Sequence, residues 1–364
     1  SGHILVYAFD VFMQIYENAG WSQRDAAQSI IQNNIYGLDI DDRAAQLSYF
    51  AVLMKARQYD RRILTRGIGP NVYAVQESNG INRSQLKYFG AGLTEEEKKT
   101  ALMQLEGFLN TLNDAKEYGS LLNVEDYDWK LLEKFVENTD TESQISFDTY
   151  GLDETAEQLK QLIRIGKVMA QKYEIVATNP PYMSVSSASL KLNSYVLRNY
   201  PDSKTDLYAV FIEKCLKILK TMGYQAMITQ QSWMFTMSYE QLREKLSMYT
   251  VISLMQLGAR AFDEISGEVV QTSAYIFRKK YIRNYRSNYF DLTRGMSECE
   301  KETLYNHREN VYHVNYLSFK NVPNYAMAYW LSEKELCDFG NTKFSEIFTT
   351  REGMTTANNE LFLK

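Results

Sequence analysis

Asn179-Pro180-Pro181-Tyr182 stands directly after the apolar run Tyr173–Thr178 and carries the sharpest chemical signal in the chain. Neither proline has an N–H, and Pro181 biases Pro180 toward an extended backbone. A loop of this kind is stiff. It presents the side-chain oxygen of Asn179 and the backbone carbonyl of Pro180 as fixed acceptors. Two such acceptors suit a planar –NH2 whose lone pair is delocalised into a ring or an amide. Accepting one hydrogen bond from each hydrogen lets the nitrogen pyramidalise and aim its lone pair at an electrophilic methyl, and preorganised dipoles of this sort lower barriers appreciably. Tyr182 adds an aromatic face on which a flipped-out base can stack. A proline-rich turn capping a strand is the plainer alternative, and the position after a buried strand favours the chemistry.

Asp39 is the second anchor. An acidic residue at the carboxyl end of the strand after the first helix can accept hydrogen bonds from both ribose hydroxyls of an adenosine cofactor, and Ile40 can pack on the adenine. Asp41 and Asp42 are better placed to cap the following helix. Gly2, after Ser1 and before an apolar helix, allows close approach of backbone to a cofactor. A metal centre is not expected: the histidines are His3, His307 and His313, and the cysteines Cys215, Cys299 and Cys337 lie far apart. That cysteine usage suits a reducing compartment rather than a disulfide framework. With 364 residues, 45% apolar and 23% charged, wholesale disorder is excluded. The net charge of −5 means that any nucleic-acid surface must be locally positive. No run is long enough to span a membrane, so membrane association is not expected and a cytoplasmic protein is.

The elements that must position these residues alternate. An apolar helix over Ile4–Met13 is expected to be buried, followed by a strand at Asn34–Ile40, a helix over Arg43–Tyr59 and a strand at Asn71–Glu77. Residues 82–165 are charged and helical, opened by a capping-box pattern at Thr94–Glu97. Strands are expected at Tyr173–Thr178, Tyr224–Thr229, Val251–Leu257 and Gln271–Arg278. Between the first two of these lies a helix from Asp206 to Thr221, capped by Gly223. The fold class is α/β, a doubly wound, mostly parallel sheet with a helical insertion. Residues 1–81 form the cofactor-binding half of the core, 82–165 the insertion, 166–290 the catalytic half, and 291–364 a connector leading to another domain.

This order of motifs resembles the class I, Rossmann-like S-adenosylmethionine-dependent methyltransferases that modify N6 of adenine in DNA. Ser1–Phe12, Tyr36–Ile40, Asn71–Gly80, Asp114–Leu122, Thr178–Ser184, Gly267–Lys279 and Arg351–Leu363 are further similar to the PglX-type enzymes of BREX phage-defence systems. The resemblance implies that Asn179, Pro180, Pro181 and Tyr182 form the amine-binding loop, and that Ser1, Gly2, Asp39 and Ile40 meet S-adenosylmethionine. It also implies that Asp114 and Ser120 stand where the family meets the cofactor adenine, and that Phe262 is a second aromatic wall for the flipped base. For Asp114 and Ser120 a plain helix end is the alternative, and for Phe262 core packing. Double-stranded DNA is the implied partner, together with other proteins of a prokaryotic defence system.

In the family a strand bearing Asp-Pro-Ala-Cys-Gly precedes Ser1, and Arg351–Asn359 resembles the entry to a target-recognition domain. The expectation is a fragment of a much longer protein. Arg278–Arg294 carries six cationic side chains interleaved with Tyr281, Tyr285 and Tyr289, a composition suited to phosphate contacts and stacking, although a solvated strand end and turn is the more economical reading. Other readings stay open: a glutamine methyltransferase acting on release factors, the methylating half of a bifunctional restriction–modification enzyme, and a non-catalytic DNA-binding subunit that keeps the fold.

Overall fold

Tyr36–Asp39 forms β1 and Asn71–Ala74 forms β2, paired in parallel with Gly37 opposite Val72 and Leu38 opposite Tyr73. The computed structural model describes residues 2–138, 150–261, 270–341 and 347. Side chains alternate across a strand, and here the alternation separates two helical layers. Gly37 faces helix α1 (His3–Asn18), where an added Cβ would lie 2.8 Å from Leu5 Cδ1. Leu38 and Tyr73 face the other way, into a core built by later helices. Covered on both faces, the pair belongs to a doubly wound α/β fold.

On the first face, α1, α2 (Gln23–Ser29) and α3 (Asp42–Tyr59) bury Phe9, Met13, Ile30, Ile31, Val52 and Ala56. Burying the Phe, Met, Ile and Val side chains among them stabilises by roughly 1.5–3 kcal/mol each. The expectation that α1 is buried all round is corrected. Tyr7, Val11 and Ile15 are 73%, 41% and 56% exposed, because the face that packs on the neighbouring helices carries Leu5, Val6, Phe9, Phe12, Met13 and Tyr16 instead.

On the second face stand α4 (Glu95–Thr111), α5 (Ala115–Tyr118), α6 (Trp129–Glu137) and α7 (Leu152–Ala170). Thr94 and Glu97 cap α4 reciprocally, as their spacing predicts. Leu105, Phe108, Leu109, Leu132, Phe135, Leu159 and Ile163 form one core with Val75, so the helices pack directly on the β1–β2 layer. Next come β3 (Tyr173–Thr178), α8 (Leu190–Asn199) and α9 (Leu207–Ile218); β3 was expected to be buried, and its residues are instead half-buried or exposed, with Ile175 58% exposed.

The chain divides into two compact units, Ser1–Lys220 and Thr221–Lys364. The second is built on β4 (Leu219–Gln230), which is followed by α10 (Glu240–Leu246), β5 (Thr250–Gly258), β6 (Thr272–Arg278), β7 (Ser287–Asp291), α11 (Glu298–Asn306), β8 (Val311–Val314) and α12 (Glu333–Asp338). Its strands lie in the order β4-β6-β5-β7-β8. β6 is antiparallel to both β4 and β5, and β7 is parallel to β5, so β4, β5 and β7 share one direction while β6 and β8 are reversed. Two sequence expectations change here. The helix expected to reach Thr221 ends at Ile218, and Gly223 lies inside β4 rather than capping a helix. Met222 takes φ 70° there, and the Met222 and Gly223 backbones exchange hydrogen bonds with Lys279. The sheet also extends past residue 291, into the stretch expected to be a connector, since β8 pairs with β7 there.

Buried cations pin this unit. Arg243, fully buried, donates to the carbonyls of Trp233, Asn324 and Tyr325, and Lys301 donates to those of Leu257, Leu292 and Gly295. Part of the basic segment is structural as well: Tyr289 is fully buried, Arg286 donates to His313 O and pairs with Glu333, and Arg278 lies over the Tyr224 ring. No helix among the described residues is long and apolar enough to cross a membrane.

Candidate active site

The loop after β3 is shaped by its own prolines and by the start of α9. Pro180 is buried and Asn179 exposed, so the backbone is anchored while the amide side chain faces outward. Tyr182 Oη donates to Asn179 Oδ1 at 3.2 Å, and its ring stands edge-on to Tyr208 of α9, with centroids 6.0 Å apart. Burial, reinforced by Tyr208, pushes the Tyr182 hydroxyl up to about 12, so it stays a donor at neutral pH. The remaining acceptor capacity of Asn179 Oδ1 is available to an amine, since a carbonyl oxygen has two lone pairs.

Asp206 secures the far side of the loop. Its Oδ1 caps α9 at Tyr208 N (3.2 Å) and also accepts from Met183 N at 3.1 Å. Leu207 N donates to Met183 O and Val185 N to Thr205 O, closing a short bridge between Ser184 and Asp206. Burial raises the Asp206 carboxyl, opposed by these backbone hydrogen bonds.

A second set of side chains gathers at the carboxyl ends of β1 and β2. Asp41 is the cap of α3, accepting from Arg43 N and Ala44 N at 2.7 and 2.9 Å. Asp39 is thereby released from capping. Its Oδ1 accepts from Asp41 N at 3.0 Å, while Oδ2 bonds to no described residue. Ile40 is 48% exposed beside it. Gly119, at φ 55°, comes so close that a Cβ would lie 3.1 Å from Ile40 Cδ1. The structure therefore brings Asp39, Ile40 and the loop carrying half-buried Ser120 together.

Asp114 lies further out, in the left-handed region at φ 53°. Asn79 fixes it from two sides, accepting from Asp114 N and donating to Oδ1, both at 2.8 Å, while Lys191 pairs with Oδ2 at 2.6 Å. The Lys191 hydrogen bond is the main cause of its lowered carboxyl. Asp42 is similarly engaged, by Gln76 and by Lys116. Gly2 sits at φ 76° against Ser48 of α3, where a Cβ would lie 2.9 Å from Ser48 Cα; position and conformation both require glycine. Ser1 and Phe262 lie outside the described residues, as does Arg351–Asn359. Among the described residues no His, Cys, Asp and Glu cluster could hold a metal ion.

Sequence reasoning assigned no role to Gln76, Asn79, Lys116, Lys191 or Asp206. Gln76 was read as part of the strand Asn71–Glu77, which ends at Ala74, and Asn79 belongs to a stretch noted only for its resemblance. Asp206 was legible as a helix start but not as the tie to Met183, because the partner is a backbone N–H with no signature of its own.

A doubly wound α/β core, with a proline-stiffened loop after one strand and a carboxylate with one unbonded oxygen at the end of another, defines a class I methyltransferase fold. Residues 33–262 match the family described as the Eco57I restriction-modification methylase, and the chain belongs to that family. It is 38% identical over 374 residues to the adenine-specific methyltransferase PglX of Lacticaseibacillus casei (strain Zhang), a match covering 100% of this chain and 30% of that protein. It is 39% identical over 350 residues to the adenine-specific methyltransferase BrxX of Escherichia coli O9:H4 (strain HS), covering 91% and 29% respectively. The chain thus spans about 30% of the length of these relatives. Among solved structures, the Type ISP restriction-modification enzyme LlaBIII bound to DNA aligns with a TM-score of 0.49 at 13% identity, covering 86% of this chain and 19% of that one.

Proposed function

We propose that this chain is the catalytic core of an adenine N6 DNA methyltransferase that uses S-adenosylmethionine and acts on a base flipped out of duplex DNA. The observation that carries the reading is the loop after β3, with Pro180 buried, Asn179 outward and Tyr182 bonded to it.

The chain's own residues fit the methyl donor. Asp39 Oδ2 is open to hydroxyl groups, Ile40 offers an exposed apolar face, and Gly119 puts no side chain against Ile40. S-adenosylmethionine supplies the electrophilic methyl group when bound. Asn179 Oδ1 and Pro180 O hold the two amine hydrogens of adenine, drawing the nitrogen lone pair out of the ring. Tyr182 stacks on the base and steadies Asn179 through its hydroxyl. Asp206 keeps the loop from relaxing, and no covalent intermediate on the protein is needed. Asp114 is occupied by Lys191, so contact with the cofactor there requires that pair to open.

Duplex DNA, a prokaryotic cytoplasmic setting and membership of a phage-defence or restriction–modification system follow from the same reading. Specificity for a sequence resides in the remainder of the full-length protein. The test is transfer of isotope-labelled methyl from S-adenosylmethionine to duplex DNA by the full-length protein, with the modified nucleoside identified by mass. Label in N6-methyladenine supports the reading; label only in protein, or in cytosine, overturns it.

A further inference from the structure

The loop that packs on Ile40 is gripped from behind by side chains that neither the catalytic loop nor the Asp39 cluster uses. Tyr200, fully buried at the end of α8, directs its hydroxyl at Leu121 O (2.9 Å) and Asn123 Oδ1 (3.2 Å). Tyr195 of the same helix donates to Leu121 O at 3.3 Å and accepts from Asn123 N at 3.1 Å. Lys214 of α9, 5% exposed, donates to Leu122 O at 2.6 Å and to Asn123 Oδ1 at 3.3 Å. Two helices thus converge on three consecutive residues.

A lysine buried at this depth is costly unless its hydrogens are used. The partners described for it are a backbone carbonyl and a side-chain amide, with no carboxylate bonded to it. Ion pairing therefore does not account for its place, whereas fixing the chain at residues 121–123 does. Ser120 immediately precedes the gripped carbonyl, and Gly119 precedes Ser120 against Ile40. The same segment also meets the scaffold of the amine loop, because Leu121 shares a core with Val185, Leu207 and Val210.

We infer that Lys214, Tyr200 and Tyr195 are positioning residues for the methyl donor: by gripping residues 121–123 they hold the Gly119-Ser120 turn against Ile40, where the cofactor's adenine packs. The inference rests on the S-adenosylmethionine reading above. None of the three side chains touches the reacting atoms. Their effect runs through the backbone of Leu121 and Leu122 to Ser120 and Ile40, so it falls on cofactor affinity rather than on the chemical step.

Tyr200→Phe removes the hydroxyl with little change of volume, and Lys214→Met keeps the apolar stem without the ammonium. In the full-length protein each substitution raises KM for S-adenosylmethionine about 5- to 30-fold, while kcat at saturating cofactor and KM for DNA change less than about 3-fold. Amide hydrogen exchange across residues 119–124 rises in both variants before any ligand is added. In the double variant the effects on KM combine to less than their product, because both side chains act on Asn123 Oδ1. A lowered thermal midpoint with cofactor KM unchanged would mean a purely structural clamp and overturn the inference while leaving the methyltransferase reading intact. Wild-type protein that neither binds S-adenosylmethionine nor methylates DNA would overturn both.

Discussion

Asp206→Ala removes two hydrogen bonds to one oxygen, the cap on Tyr208 N at 3.2 Å and the tie to Met183 N at 3.1 Å. Losing an Asp helix cap costs about 0.5–2 kcal/mol. Losing a second hydrogen bond adds about 0.5–1.5 kcal/mol. The middle of the combined range, about 2 kcal/mol, corresponds to roughly 30-fold more frequent local opening. Because the tie lies next to Tyr182, the loop that fixes Asn179 should loosen with it. The assay is amide hydrogen exchange at Met183 and Tyr208 in the full-length protein, read beside kcat for adenine methylation. Exchange should accelerate at both amides, and kcat should fall at least about 10-fold, as expected when a reacting group is held less well. Asp206→Asn keeps an acceptor oxygen in place and should retain most of the protection and most of kcat. Unchanged exchange in Asp206→Ala, or an Asn variant as damaged as the Ala variant, would refute the positioning argument.

Asp39→Ala should weaken binding of S-adenosylmethionine by about 10- to 100-fold, measured by calorimetry, because a carboxylate accepting from hydroxyls is among the stronger hydrogen-bond partners. Burial pulls the Lys214 ammonium down to about 8, with Lys217 and Lys172 adding to the effect and Cys215 opposing it. Between that pH and about 10.4 the unfolded chain holds a proton that the folded chain has released, so this residue's contribution to stability rises with pH. Denaturation at a series of pH values should show wild type gaining on Lys214→Met from about pH 8 to about pH 10.4, the range those two pKa values bracket. Gly166→Ala and Gly107→Ala form a matched pair within helices. At Gly166 a Cβ would lie 2.5 Å from the Phe108 ring, whereas at Gly107 the nearest atom is Tyr127 Oη at 3.6 Å. Thermal unfolding should show a gain of up to about 1 kcal/mol for Gly107→Ala from helix propensity. Gly166→Ala should show a loss, because overpacking by about 1–3 kcal/mol exceeds that gain.

The sequence was most legible where local chemistry dictates local geometry. Asn179-Pro180-Pro181-Tyr182 announces a stiff loop because proline restricts its own φ and its neighbour's ψ. Asp41 and Thr94 announce helix starts because their oxygens reach N–H groups two or three residues away. The misreadings come from longer range. α1 is apolar around most of its circumference, yet the packing partners present reach one stripe only, so composition overstated its burial. The end of α9 was misplaced because Leu219 begins β4 directly, and Gly223 serves a bulge opposite Lys279 instead of a helix terminus. β8 has four residues and pairs with β7 across an intervening helix, too short a segment for alternation to register. Asp206, Tyr200 and Lys214 act on backbone groups distant in sequence, and nothing in a side chain's identity names the carbonyl or amide it will meet.

The most direct test of the central claim is modified-base sequencing of DNA from cells expressing the full-length protein, beside cells expressing its Asn179→Ala variant. The account predicts N6-methyladenine at one short sequence motif in the first sample and its loss in the second. Methylation that persists in the Asn179→Ala cells would contradict the account, because the loop after β3 would not be the site of transfer.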